Sequence, residues 1–238
     1  MYKTKGRVRY SECATDNRLK IAGIINYFQD CTTENSEQLG VGYAYLKEQK
    51  RAWILNSWQV EIRRRPHVGE AIEVSTWATG FKGVFGPRDF CMKTLDGEVL
   101  AQAHTLWVYV DTETGKPVKP EESSIQVYEV EEPIQMEEAS RKIKLPEGLV
   151  EVDTFSVRTY HIDTNNHVKN SQYVQLAAEG LPEDFCVTGL RVEYKKAAVL
   201  GNTMRLKYAT EENRIVAQLC DEDEVAYAIV EFVGENAR

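Results

Sequence analysis

The chain has 238 residues, of which 28% are charged and 42% hydrophobic, and its formal net charge is -8. Such a composition fits one large or two ordinary globular domains and excludes a disordered chain. It also excludes a helical membrane span, because no apolar run approaches the ~20 residues that a bilayer requires. A negative chain is poorly suited to nucleic acid, since phosphate binding needs a basic surface.

The opening residues, Met1-Tyr2-Lys3-Thr4-Lys5-Gly6-Arg7, read as a short strand and lack the apolar core of a secretory signal. Ile21, Ile24, Ile25 and Phe28 then fall at i, i+3, i+4 and i+7, the spacing of one helix face, and predict a helix over residues 20–30. Strands are expected at 52–64, 70–80, 88–95 and 99–110, with turns at Gly69, Gly83, Gly86-Pro87 and Asp96-Gly97. Residues 116–150 change character. Pro117, Pro120 and Pro133 break regular structure, while Glu121, Glu122, Glu129, Glu131, Glu132, Glu137 and Glu138 crowd in, so this stretch reads as an exposed acidic linker. Beyond it, Tyr173, Leu176 and Ala177 mark a second helix that ends near Gly180-Leu181-Pro182. Four more strands are expected near 187–195, 202–210, 214–220 and 224–233.

The two halves repeat one another. Val60-Glu61-Ile62-Arg63-Arg64 reads against Val192-Glu193-Tyr194-Lys195-Lys196, an offset of 132 (192 less 60). Val8-Arg9 reads against Val157-Arg158, an offset of 149 (157 less 8). Asp96-Gly97-Glu98-Val99 reads against Glu222-Asp223-Glu224-Val225, an offset of 126 (222 less 96). Each copy is a short strand, an amphipathic helix and a run of strands. The expected fold is therefore α+β, a tandem (double) hot-dog in which an antiparallel sheet wraps one helix in each half. The expected domains are residues 1–115, the linker 116–150, and residues 151–238.

Five cysteines, at positions 13, 31, 91, 186 and 220, are scattered without metal-type spacing and read as reduced thiols. The chemistry concentrates instead in Tyr160-His161-Ile162-Asp163-Thr164-Asn165-Asn166-His167-Val168-Lys169-Asn170-Ser171-Gln172-Tyr173. Asp163, Asn165 and His167 alternate in a turn that enters a helix, which brings three polar side chains near one another. Asp and Asn are also ordinary helix caps, so the segment by itself fits either a site or a capped helix with an incidental histidine. His161, just upstream, reads as structural.

The stretch resembles the motif Asp-x-Asn-x-His-Val-Asn-Asn-x-x-Tyr of the acyl-acyl carrier protein thioesterases of plant plastids and bacteria, departing at Lys169. Trp58 to Arg64 with Pro66 and Gly69-Glu70, then Thr76-Trp77, Arg88-Asp89-Phe90 and Trp107-Val108, extend the likeness over nearly the whole chain. The resemblance implies hydrolysis of fatty acyl thioesters carried on acyl carrier protein, in the cytoplasm of a bacterium. It implies catalytic roles for Asp163, Asn165 and His167, with no metal or organic cofactor. A homodimer stays open. Where the plant enzymes carry Glu-Cys, this chain has Ala197-Ala198, which excludes a thiol nucleophile there and leaves the site resting on the remaining three residues. Glu179 is a candidate replacement carboxylate. The first copy sets Ala14, Asp16 and Arg18 against Asp163, Asn165 and His167, so it is expected to be the acyl-binding half, with Trp53, Leu55, Trp58 and Trp77 as pocket candidates. Docking of the acidic carrier is expected from cations among Arg63, Arg64, Arg65, Arg141 to Lys144, Lys169, Lys195 and Lys196.

Overall fold

A computed structural model describes residues 1–236, which divide into two compact units. The first comprises Met1–Asn56 and Arg63–Glu137, and the second Ser57–Ile62 and Glu138–Arg238. In the first unit, β1 (Tyr2–Arg7), β3 (Ala71–Ala78), β4 (Phe85–Thr94), β5 (Val99–Asp111) and β2 (Arg51–Ile62) lie in the order β1-β3-β4-β5-β2. Helix α1 (Ile21–Gln38) packs on β3 and β1. Its apolar stripe of Ile24, Ile25, Phe28 and Cys31 is fully buried, and burying such side chains stabilises by roughly 1.5–3 kcal/mol each. The helix runs a further two turns past the predicted residue 30, because Thr32 and Cys31 continue the buried face. A short α2 (Tyr43–Glu48) follows it.

The second unit repeats this plan. The far end of β2 pairs antiparallel with β7 (Phe185–Tyr194), Ser57 opposite Glu193 and Glu61 opposite Gly189. From β7 the order is β10 (Ala226–Asn236), β9 (Arg214–Cys220), β8 (Thr203–Glu211) and β6 (Val150–Ser156). Between β6 and β7 lies α4 (Asn170–Ala178), which packs on β9 and β10. Strand for strand, 6-8-9-10-7 matches 1-3-4-5-2.

The hydrogen bonds repeat as well. Val8 N–H bonds Glu70 C=O and Gly69 N–H bonds Val8 C=O, as Val157 bonds Asn202 and Gly201 bonds Val157. Leu19 N–H bonds Pro66 C=O just as Val168 bonds Ala198, at offsets of 149 and 132. Only the last segment shifts. Thr94 N–H bonds Glu98 C=O where Asp221 bonds Val225, so Gly97 corresponds to Glu224, both at positive φ, and that offset is 127 (224 less 97) rather than 126. Gly86-Pro87 lies inside β4 rather than at a turn, near the strand start where proline is tolerated, and Gly83 at φ 63° makes the turn.

Most of the acidic stretch 116–150 is exposed, as its composition predicts, but it is anchored at points along its length. It carries a one-turn helix, α3 (Glu122–Ile125), and buries Pro120, Ser124, Tyr128 and Ile143. Along the first unit, the Trp77 indole donates to Glu132 C=O at 3.0 Å. Buried Asp89 accepts Ile134 N–H at 2.8 Å, while its other oxygen meets His104 Nδ1 at 2.7 Å. Along the second unit, Glu193 accepts Ile143 N–H at 3.1 Å and Arg214 donates to Lys144 C=O at 2.6 Å. Side chains from distant strands satisfy the strap's backbone, which a local reading of proline and glutamate content does not reveal.

Candidate active site

The loop between β6 and α4 is shaped by its own polar residues. Arg158 N–H donates to His161 Nδ1 at 3.1 Å, closing a single 3-10 turn, Thr159–His161. The same place in the first unit is held by Glu12, whose carboxylate accepts Arg9 N–H at 2.8 Å. His161 is therefore structural, buried, and an acceptor at Nδ1. Burial, and then the nearby Arg158 charge, lower its pKa below the ordinary histidine value. The folded state thus resists a proton that the unfolded chain takes up near its ordinary pKa of about 6.5. Stability from this group is complete above that pH and falls as the pH drops through it. The melting temperature is expected to fall between pH 7.5 and 5.5, and His161→Gln, which keeps an acceptor, should flatten that fall. An identical slope in the variant refutes the assignment.

Asp163 begins the next turn. Its N–H bonds His167 C=O at 2.8 Å, and its Oδ1 accepts the N–H groups of Asn165 at 2.8 Å and His167 at 3.2 Å. Asn166 takes a positive φ of 62° at the tip, a conformation that asparagine tolerates better than most residues. Ile162 and Val168 then bridge antiparallel, and Lys169 N–H bonds His161 C=O at 2.9 Å before α4 starts. Asp163 is half-buried, while Asn165 and His167 are exposed. The structure thus brings all three onto one tight turn at the N-terminus of α4. Asp163 Oδ2 and the His167 ring have no protein hydrogen-bond partner among the described residues.

Position 197 adjoins this turn. In the first unit its counterpart, Arg65, forms an ion pair with Asp16, the counterpart of Asn165. A long side chain at Ala197, itself exposed, would accordingly sweep over Asn165. Glu179 does not replace the missing carboxylate. It caps the far end of α4, a nine-residue helix about 13 Å long, where it accepts from Gln175 at 2.7 Å.

Three of the four pocket candidates belong to the first unit and one, Trp58, to the second. Trp53 packs in an aromatic cluster of the first unit, 4.8 Å from Tyr109 and 5.9 Å from Phe81 between ring centroids. Leu55 is buried in the same unit. Trp58 is buried in the second unit. Arg88 donates to both Thr76 and Asn35 of α1, so Trp77, one residue on from Thr76, lies on the sheet face turned away from α1 and under the strap. Among the described residues no cluster of His, Cys, Asp and Glu is placed to hold a metal, and no helix is long and apolar enough to cross a membrane.

Residues 1–128 match the acyl-ACP thioesterase N-terminal domain and residues 147–231 the acyl-ACP thioesterase C-terminal domain. The chain is 26% identical over 215 residues to a chloroplastic palmitoyl-acyl carrier protein thioesterase of Cuphea hookeriana, covering 82% of this chain and 51% of that protein. It is 25% identical over 204 residues to a chloroplastic oleoyl-acyl carrier protein thioesterase of Arabidopsis thaliana, covering 79% and 56% respectively. The chain thus spans about half the length of the curated relatives it matches. Among solved structures, an acyl-ACP thioesterase from Bacteroides thetaiotaomicron superimposes with a TM-score of 0.90 at 21% identity, over 98% of this chain and 97% of that one. The 12:0-ACP thioesterase of Umbellularia californica gives 0.88 at 18% identity, over 99% and 97%. These likenesses show the fold, a double hot-dog. With both domain models matched in order along one chain, the protein belongs to the acyl-ACP thioesterase family.

Proposed function

We propose that the protein hydrolyses fatty acyl thioesters carried on acyl carrier protein, releasing free fatty acid and so ending or diverting chain growth. The reading rests on one observation. Two loops of the same backbone course occur in the chain, and only the second carries Asp163, Asn165 and His167, where the first carries Ala14, Asp16 and Arg18. Thioester hydrolysis needs a water made nucleophilic and an oxyanion stabilised. Asp163 Oδ2 and His167 are the bases within reach of such a water, and the Asn165 amide can hold the water or the carbonyl. The N-terminus of α4 supplies the positive end of a helix dipole to the developing oxyanion. The first unit takes the acyl chain in this reading, with Trp53 and Leu55 as the candidates nearest its core.

The docking cations can be sorted. Arg64 is engaged by Glu70 at 2.7 Å and by Glu98, and Arg65 by Asp16. Lys195 is engaged by Glu193 at 2.7 Å and Lys196 by Asp221 at 2.8 Å. Lys169, Arg141, Lys142 and Lys144 are exposed with no carboxylate partner among the described residues, which favours them for an acidic carrier. Thiol release from acyl groups of graded length, on carrier protein and on coenzyme A in parallel, tests the proposal. Faster release from coenzyme A reassigns the carrier, and release from neither leaves a non-catalytic acyl-binding protein, the alternative for which Ala197 is the best support.

Ala197→Glu tests whether the site is complete. Oδ1 of Asp163 is spent on the loop, but Oδ2 remains for the water, so the existing set suffices. Turnover of the variant is expected to stay within about threefold of wild type or to fall, because an added charge costs desolvation once substrate covers the site. A gain of about tenfold or more shows a missing acid–base group and sinks this view.

A further inference from the structure

A pair of tyrosines on the second unit separates the chemically equipped copy from its twin. The Tyr194 hydroxyl, on β7, donates to the C=O of Asn170, the first residue of α4, at 3.0 Å. The Tyr173 hydroxyl, on α4, accepts Ala198 N–H at 3.0 Å. Ala198 in turn accepts Val168 N–H at 2.9 Å, immediately after His167. The two rings meet edge to face, 5.8 Å between centroids. The loop carrying His167 and the start of α4 are therefore tied to the end of β7 through two hydroxyls and one backbone amide.

The first unit supplies an internal control. By the offsets of its own hydrogen bonds, Tyr173 corresponds to Ile24, Tyr194 to Ile62 and Ala198 to Pro66. Ile24 and Ile62 are both buried core residues, and Pro66 has no N–H to give. The backbone bond from Leu19 to Pro66 survives, so the loop forms without any of the three polar groups. Folding alone does not require them. Burial holds both phenols in the protonated form, Tyr173 pushed up to about 12 and Tyr194 raised well above the ordinary phenol value, so neither can serve as a base at neutral pH.

We propose that Tyr173 and Tyr194 are positioning residues for thioester hydrolysis, holding the His167 turn in register with α4 and the end of β7. The inference rests on the catalytic reading of Asp163, Asn165 and His167. A hydroxyl tie of this kind acts on orientation, where misplacement of about 1 Å can cost up to 10²-fold in rate.

Three variants test it: Tyr194→Phe, Tyr173→Phe and Ala198→Pro. The last removes the amide donor at a position whose twin is already proline. Each should lower kcat roughly ten- to a hundredfold with KM little changed and the pH profile unshifted, and should speed hydrogen exchange in the segment 162–171. A purely structural role would lower the melting temperature but leave kcat per folded molecule intact. Folded variants with wild-type kcat overturn the proposal, as does unchanged exchange in that segment. His167→Ala, run alongside, keeps the two readings apart. If it alone loses activity the catalytic assignment stands and the clamp fails. If it retains full activity the catalytic assignment fails, and a positioning role around His167 fails with it.

Discussion

Replacing His167 with alanine is expected to lower turnover of an acyl thioester by roughly 10²–10⁴, the usual worth of a positioned acid–base group. The side chain is exposed at the N-terminus of α4 and bears no hydrogen bond among the described residues, so its removal breaks no packing. Its backbone N–H and C=O hold the turn, to Asp163 Oδ1 and Asp163 N–H, and alanine keeps both. Stability should therefore stay close to wild type, within the roughly ±0.5 kcal/mol typical of surface changes. Steady-state thiol release with thermal melting on the same preparation measures both. A folded variant at the wild-type rate removes His167 from the mechanism.

Asp163 should show a split that His167 does not. Asp163→Asn keeps an oxygen able to accept the N–H groups of Asn165 and His167, but it loses the charge and basicity of Oδ2. Turnover is expected to fall by roughly 10²–10⁴ with stability nearly unchanged. Asp163→Ala loses the acceptor as well, leaving two loop amides to water, and should cost about 0.5–2 kcal/mol in addition, as loss of a helix cap does. Denaturant melts of the two variants beside their kinetics distinguish the roles. Equal stability of Asn and Ala variants would mean that the carboxylate does not organise the turn, and full activity of the Asn variant would mean that it does no chemistry.

Local sequence was enough for much of this molecule. Helical spacing of Ile21, Ile24, Ile25 and Phe28 and the turn residues around Gly69 and Gly83 follow from steric and burial preferences that act within a few residues. The duplicated segments aligned the first loop against the second, and the hydrogen bonds of Ala14–Arg18 and Asp163–His167 follow that alignment pair by pair. The placement of Asp163, Asn165 and His167 together was legible because all three lie within one five-residue turn.

Contacts between distant segments had to wait for the tertiary structure. The acidic stretch reads as solvated linker because glutamate and proline disfavour regular structure, but Asp89 and Glu193, tens of residues away, supply its amides with acceptors. Side-chain direction decided the pocket candidates in the same way. Strand alternation turns Trp77 away from α1, and the pairing of Ser57–Glu61 with β7 counts Trp58 with the second unit. Ala197 and Ala198 look alike in sequence, as two lost groups. In space one is an exposed side chain and the other a buried residue whose amide bonds Tyr173. Residue types and short spacings specified the helix, the turn and the candidate chemistry. Which polar groups hold that turn in place depends on hydrogen bonds between residues 24 or more positions apart, and only the folded chain brings them together.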